Sequence, residues 1–170
     1  VEQHNVSKSC ISCEPGKYGL FVAQTNETIA CYICESGHYC PGGKDKIGCP
    51  KGTYNNRTGE SYLESCIECA PGKYGNDLKQ ISEGSACNVC ENGYICKGGA
   101  YRKPCVKGSY GDSMNQSSHS IGCKICEKGY WCEGADHKNG CTAGKYGNFT
   151  NSSTSSSACT ICPEGYYCTG

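Results

Sequence analysis

Six Cys-x-x-Cys pairs recur along the chain, at Cys10/Cys13, Cys31/Cys34, Cys66/Cys69, Cys87/Cys90, Cys123/Cys126 and Cys159/Cys162. The steps between their first cysteines are 21, 35, 21, 36 and 36 residues. Periodic self-similarity of this kind defines a tandem repeat in which each unit contacts mainly its neighbours. The boundaries it sets are a lead-in at 1–9, short repeats at 10–30 and 66–86, long repeats at 31–65, 87–122 and 123–158, and the start of another long repeat at 159–170.

Nine cysteines open one phrase, Cys-x-x-Gly-x-aromatic: Cys13, Cys34, Cys49, Cys69, Cys90, Cys105, Cys126, Cys141 and Cys162. Only Ile95 departs from the aromatic rule. A glycine at a fixed offset predicts a turn with positive φ or a close backbone approach. The aromatic two residues later is a packing group able to cover a neighbouring cystine. The Ile or Val inside each pair (Ile11, Ile33, Ile67, Val89, Ile125, Ile161) is expected to bury against that aromatic. Short strands around Gly16-Lys17-Tyr18 and its copies, paired with the Cys-x-Ile-Cys segments, predict small hairpins. No amphipathic helix is legible.

Five phrases are followed by a long loop of about 17 residues that ends on the next pair. Four are followed at once by a cysteine, in the compact arrangement Cys-x5-Cys. If the compact segment is a self-contained insert, its two cysteines pair with each other, as Cys34–Cys40, Cys90–Cys96, Cys126–Cys132 and Cys162–Cys168. The long loops then close as Cys13–Cys31, Cys49–Cys66, Cys69–Cys87, Cys105–Cys123 and Cys141–Cys159. Cys10 is left over, either free or paired to a cysteine upstream, so the chain reads as a piece of a longer array. The rival is crossed pairing of first with third and second with fourth cysteines, and spacing alone does not decide between them.

Nineteen cysteines among 170 residues mark a disulfide scaffold, whereas Leu, Ile, Val and Phe together number 20. So few aliphatic residues cannot build one sizeable core. The expected fold is therefore a small disulfide-rich, mostly irregular chain with short β-strands and hairpins, extended as a tandem-repeat rod. Disulfide density points to an extracellular compartment. Six sequons agree, at Asn5, Asn26, Asn56, Asn115, Asn148 and Asn151. Five of them lie in the long loops, which are thus expected to face solvent. The run Thr150, Ser152, Ser153, Thr154, Ser155, Ser156 and Ser157 reads as a loop tip or as O-glycan acceptors.

Formal net charge is zero, without a basic run, which argues against nucleic acid as a partner. No apolar stretch reaches the length of a membrane span. Cys-x2-Cys-x17-Cys-x2-Cys also fits a zinc ribbon. One continuous cysteine series with sequons in its loops favours structure over metal. Redox chemistry normally uses a helix after the pair, and no helix signal follows here. His4, His38, His119 and His137 occupy non-equivalent positions, and Asp45, Asp77, Asp112 and Asp136 are isolated from other acids. No catalytic, metal or cofactor site is expected.

The phrases Cys49-Pro50-Lys51-Gly52-Thr53-Tyr54 through Cys69 and Cys162-Pro163-Glu164-Gly165-Tyr166-Tyr167-Cys168 resemble the ephrin-receptor-like (GCC2/GCC3) cysteine-rich repeat. They are also similar to the opening module of tumour-necrosis-factor-receptor cysteine-rich domains, a resemblance that supports the long-loop pairing. It covers Cys10 to Cys168 and implies a receptor ectodomain or a long surface protein. A glycosylated, non-catalytic structural repeat protein of a surface coat or filament is expected, with copies of itself or other surface proteins as partners. A ligand-binding ectodomain or adhesin is the alternative. The loop 69–87, which has no sequon, is the expected lateral contact face.

Overall fold

In a computed structural model, residues 10–170 are described, and Asn5 and His4 lie outside them. The chain forms two compact units. One holds residues up to Glu68 together with Asn76–Ala86, and the other holds Cys69–Gly75 and Cys87–Gly170.

Both units are built from two-stranded antiparallel ribbons. The first unit contains β1 (Lys17–Gly19) with β2 (Cys31–Ile33), β3 (His38–Gly42) with β4 (Asp45–Gly48), and β5 (Thr53–Tyr54) with β6 (Ile67–Glu68). The second contains β7 (Lys73–Tyr74) with β8 (Asn88–Val89), β9 (Tyr94–Gly98) with β10 (Tyr101–Pro104), and β11 (Ser109–Tyr110) with β12 (Lys124–Ile125). It continues with β13 (Tyr130–Gly134) paired to β14 (His137–Gly140) and β15 (Lys145–Tyr146) paired to β16 (Thr160–Ile161). Ribbons this short are marginal in water by themselves. Cystines hold their ends.

Each phrase folds the same way. The residue after the first Cys accepts a hydrogen bond from the residue three further on, as in Lys17 N to Glu14 O (3.0 Å) and Ser109 N to Val106 O (3.0 Å). The glycine stands at the third turn position with φ between 75° and 86° in all nine phrases. That is a type II turn, which requires positive φ there. The turn aims the following aromatic inward. Tyr18, Tyr74 and Tyr110 are buried and form three separate small cores with the cystines Cys34–Cys40, Cys90–Cys96 and Cys126–Cys132.

The inner residues of the pairs correct the expectation made for them. Ile11, Ile33, Ile67, Val89, Ile125 and Ile161 are all exposed. Register explains most of this. Lys17 faces Ile33, whereas Tyr18 faces Tyr32, and the other ribbons of this length repeat that register (Lys73 with Val89, Ser109 with Ile125, Lys145 with Ile161). Successive residues on a strand point to opposite faces, so the Ile lies away from the buried tyrosine. Only Ile67 sits opposite its tyrosine, Tyr54, because its loop is one residue shorter.

Four single helical turns precede closing cysteines: α1 (Glu27–Ala30), α2 (Glu83–Ala86), α3 (His119–Gly122) and α4 (Ser155–Ala158). Asn26 caps α1 by accepting from Ile29 N at 3.2 Å, and Thr154 caps α4 with Ser157 in a reciprocal capping box. The sequence signal for these turns is an Asn, Ser or Thr five residues before the closing cysteine, at Asn26, Ser82, Ser118 and Thr154.

Candidate functional site

The structure joins Cys13–Cys31, Cys49–Cys66, Cys69–Cys87, Cys105–Cys123 and Cys141–Cys159 across the long loops. It joins Cys34–Cys40, Cys90–Cys96, Cys126–Cys132 and Cys162–Cys168 across the compact ones. Cys10 is exposed and has no disulfide partner among the described residues. No group of three or more His, Cys, Asp or Glu among the described residues is arranged to hold a metal ion.

The recurrent contact of this chain is a backbone one. Each phrase presents the carbonyl of its first Cys and the N–H of the residue six positions later, and we call this pair a platform. A residue with left-handed backbone, the tip, docks there. On the platform Cys34/Cys40, Gly59 N donates to Cys34 O (2.7 Å) and Glu60 O accepts from Cys40 N (2.9 Å). On Cys90/Cys96, Asn115 N and Gln116 O make the same bonds at 2.7 and 2.9 Å. On Cys126/Cys132, Asn151 N and Ser152 O do so at 2.8 and 2.9 Å. On Cys49/Asn55, Lys79 N and Gln80 O bond at 2.9 and 3.0 Å.

Three further platforms receive a hairpin tip. Gly43 docks on Cys13/Gly19, Gly99 on Cys69/Gly75 and Ala135 on Cys105/Gly111, each using both its own N–H and its own carbonyl, at 2.8–3.1 Å. All seven tips have φ between 51° and 75°. Left-handed geometry lets consecutive backbone groups project together, and it favours Gly and Asn over other residues. The long-loop tips also explain the glycine of the neighbouring phrase. A Cβ at Gly16, Gly37, Gly72 or Gly108 would strike Gly59, Lys79, Asn115 or Asn151.

The loop 69–87 carries one of these tips. Its tip, Lys79-Gln80, docks within the first unit on Cys49/Asn55. Asn55 is buried and fixes that platform, donating Nδ2 to His38 O (2.9 Å) and accepting from Arg57 N (2.9 Å).

Around three of the compact cystines a polar cluster recurs. Tyr18 donates to Glu35 (3.1 Å), and Lys46 pairs with Glu35 at 2.7 Å while lying over the Tyr18 ring. Tyr74 donates to Glu91 (2.7 Å), and Arg102 binds Glu91 at 3.0 Å while its guanidinium lies 3.7 Å from the Tyr94 ring centroid. Tyr110, Glu127 and Lys138 make the third set. Lys46 and then Tyr18 hold the Glu35 carboxyl below the ordinary glutamate range, and Lys138 does the same for Glu127. For Glu91 burial pushes upward, but the hydrogen bonds from Tyr74 and Arg102 outweigh it and leave the group lowered. In sequence the cluster is written as an acid followed eleven residues later by a cation (35/46, 91/102, 127/138).

Of the sequon asparagines, Asn26, Asn56, Asn115, Asn148 and Asn151 are exposed. Three of them also serve the backbone. Asn26 is a helix cap, and Asn115 and Asn151 are left-handed tips. In the Ser/Thr run, Ser152 is buried, while Thr150, Thr154, Ser156 and Ser157 are exposed and Ser153 and Ser155 are half-buried.

These features define a small, disulfide-rich repeat module of extracellular character. No family model matches the chain. It is 31% identical over 81 residues to the mouse protein named signal peptide, CUB and EGF-like domain-containing protein 2. That alignment covers 47% of this chain and 8% of the mouse protein. The likeness and the nine disulfides fit a cysteine-rich module of EGF-like type in an extracellular setting. No helix among the described residues is long and apolar enough to cross a membrane.

Proposed function

We propose that the chain is a non-catalytic, N-glycosylated structural segment of an extracellular coat or fibre, built from repeats of the ephrin-receptor-like kind. The observation that carries this reading is the platform contact, which recurs in seven copies. A chain whose recurrent chemistry is one repeated joint, rather than a cleft with convergent reactive groups, is organised for assembly. Cystines hold each joint, and glycans on the long loops supply solubility and a steric cover.

The test is electron microscopy of the native material, combined with mass analysis before and after enzymatic removal of N-glycans. The proposal expects ordered coats or fibres containing this chain and a mass loss at Asn26, Asn56, Asn115, Asn148 or Asn151. Isolated, non-glycosylated chains that saturably bind a soluble ligand would replace it with a receptor or adhesin reading. The exposed apolar run Leu20-Phe21-Val22 is the observation that favours that second reading.

A further inference from the structure

One tip has no platform among the described residues. Ala23 adopts the left-handed conformation of the other tips, with φ 59°, and stands ten residues after Cys13, as Gly59 stands after Cys49 and Asn115 after Cys105. Neither Ala23 N nor Gln24 O has a backbone hydrogen-bond partner there. An alanine holding this conformation bears the Cβ penalty that the glycine and asparagine tips reduce. The loop is thus preset for docking. It also differs from its counterparts in carrying Leu20, Phe21 and Val22, which are 61%, 63% and 89% exposed, where the loop ending on Asn115 has Asp112, Ser113 and Met114. A groove of about 240 Å³, lined by residues including Ile11, Glu14, Gln24 and Asn26, opens beside it.

Two platforms have no backbone partner among the described residues: Cys141/Gly147, of the kind that receives a hairpin tip, and Cys162/Cys168, of the compact kind that receives a long-loop tip. The cystine Cys162–Cys168 is anchored on its inner side as the other compact cystines are, by Cys162 N to Gly144 O and Gly144 N to Cys168 O, both 2.9 Å. Its outward pair, Cys162 O and Cys168 N, has no backbone partner among the described residues. Gly144, whose counterparts Gly16, Gly72 and Gly108 are covered by docked tips, has nothing within 4 Å of an added Cβ. Tyr167 is 91% exposed, whereas Ile95, at the same place on an occupied platform, is fully buried.

We infer that the tip Ala23-Gln24 of one copy docks on the Cys162/Cys168 platform of a second copy. Ala23 N donates to Cys162 O, Cys168 N donates to Gln24 O, and Leu20-Phe21-Val22 meets Tyr166 and Tyr167. Three compact-cystine platforms already receive a long-loop tip in this manner within their own long repeats, so the joint between copies reproduces a joint the chain makes three times. The two surfaces are different, so the contact is heterologous and propagates head to tail. The inference deepens the structural reading above and names the contact that reading requires.

The test uses the 170-residue chain in a Cys10→Ser background, which removes adventitious cross-linking, and reads size by sedimentation velocity. Ala23→Pro deletes the donor N–H and forbids positive φ. Gly144→Asn places a Cβ under the docking tip while tolerating left-handed φ. The parent is expected to form concentration-dependent oligomers, and each variant alone is expected to be monomeric. An equimolar mixture of the two is expected to stop at dimers, because one variant keeps its platform and the other keeps its tip. Ala23→Gly is expected to assemble at lower concentration than the parent. A monomeric parent, either variant assembling like the parent, or a mixture without dimers would overturn the inference. A monomeric parent would also direct the open tip to a neighbouring repeat of a longer polypeptide. Fibres of the native material whose assembly Ala23→Pro leaves intact would retain the coat reading while eliminating this contact.

Discussion

At the scale of the residue, single backbone conformations take the place that side-chain packing holds in larger cores. Gly108 shows it in two ways: its φ is 84°, and a Cβ there would press on Asn151. Gly108→Val is expected to cost about 1–3 kcal/mol. Gly84, in α2, has open space and no positive φ, so Gly84→Ala is expected to gain about 0.4–1 kcal/mol. Denaturant midpoints with the disulfides intact check both, and equal effects would contradict the assignment of strain.

The glutamates set a pH dependence. Glu35, Glu91 and Glu127 are lowered in the folded chain. A lowered acid contributes stability that is present above its unfolded value, near 4.3, and is lost as pH falls through the folded value. Their partners Lys46, Arg102 and Lys138 are raised, so their share is lost only as pH rises through values above the ordinary ones. Unfolding temperature is therefore expected to fall as pH drops below about 4.3, and Glu91→Gln is expected to flatten that fall. Because these carboxylates are largely exposed, added salt is expected to shrink the effect.

At the scale of the element, the two kinds of cystine have different roles. Chain entropy alone ranks the long-loop bridges higher, with roughly 3.2 kcal/mol for a loop near 18 residues against roughly 2.2 for one of 6. The compact bridge Cys90–Cys96, however, is fully buried against Tyr74, and its four backbone groups bond Gly72 of the preceding repeat and the tip Asn115-Gln116 of its own. Replacing Cys90 and Cys96 by Ala is thus expected to destabilise more than replacing Cys69 and Cys87. The opposite order in urea midpoints would show that loop entropy, not packing, dominates.

Hairpins and the inward turn of the phrase are legible in sequence because both follow from local rules, namely glycine at a fixed offset and aromatics beside cysteines. The exposure of Ile33 and Ile125 is not legible, because composition does not reveal register and a shift of one residue reverses the face. The docked tips are hidden for another reason. Their recognition uses backbone groups, and side chains as different as those of Gly59, Lys79 and Asn151 serve equally. Asn115 and Asn151 read as sequons, although left-handed backbone is itself a reason for asparagine.

At the scale of the whole molecule, a chain with a formal net charge of zero and no large core depends on the summed joints between repeats. Nearest-neighbour contacts of this kind propagate stability along an array. The long-loop tip at Ala23 and the compact-cystine platform at Cys162/Cys168 are matching halves of such a joint, and both stand open among the described residues.

Native-state amide hydrogen exchange, resolved by residue, probes the joint directly. In the unassembled chain the amides of Gly59, Lys79, Asn115 and Asn151, and their counterparts at Cys40, Asn55, Cys96 and Cys132, are expected to be protected, whereas Ala23 and Cys168 exchange freely. On assembly Ala23 and Cys168 are expected to join the protected set. Equal exchange at Ala23 and Asn115 in the unassembled chain would contradict the account.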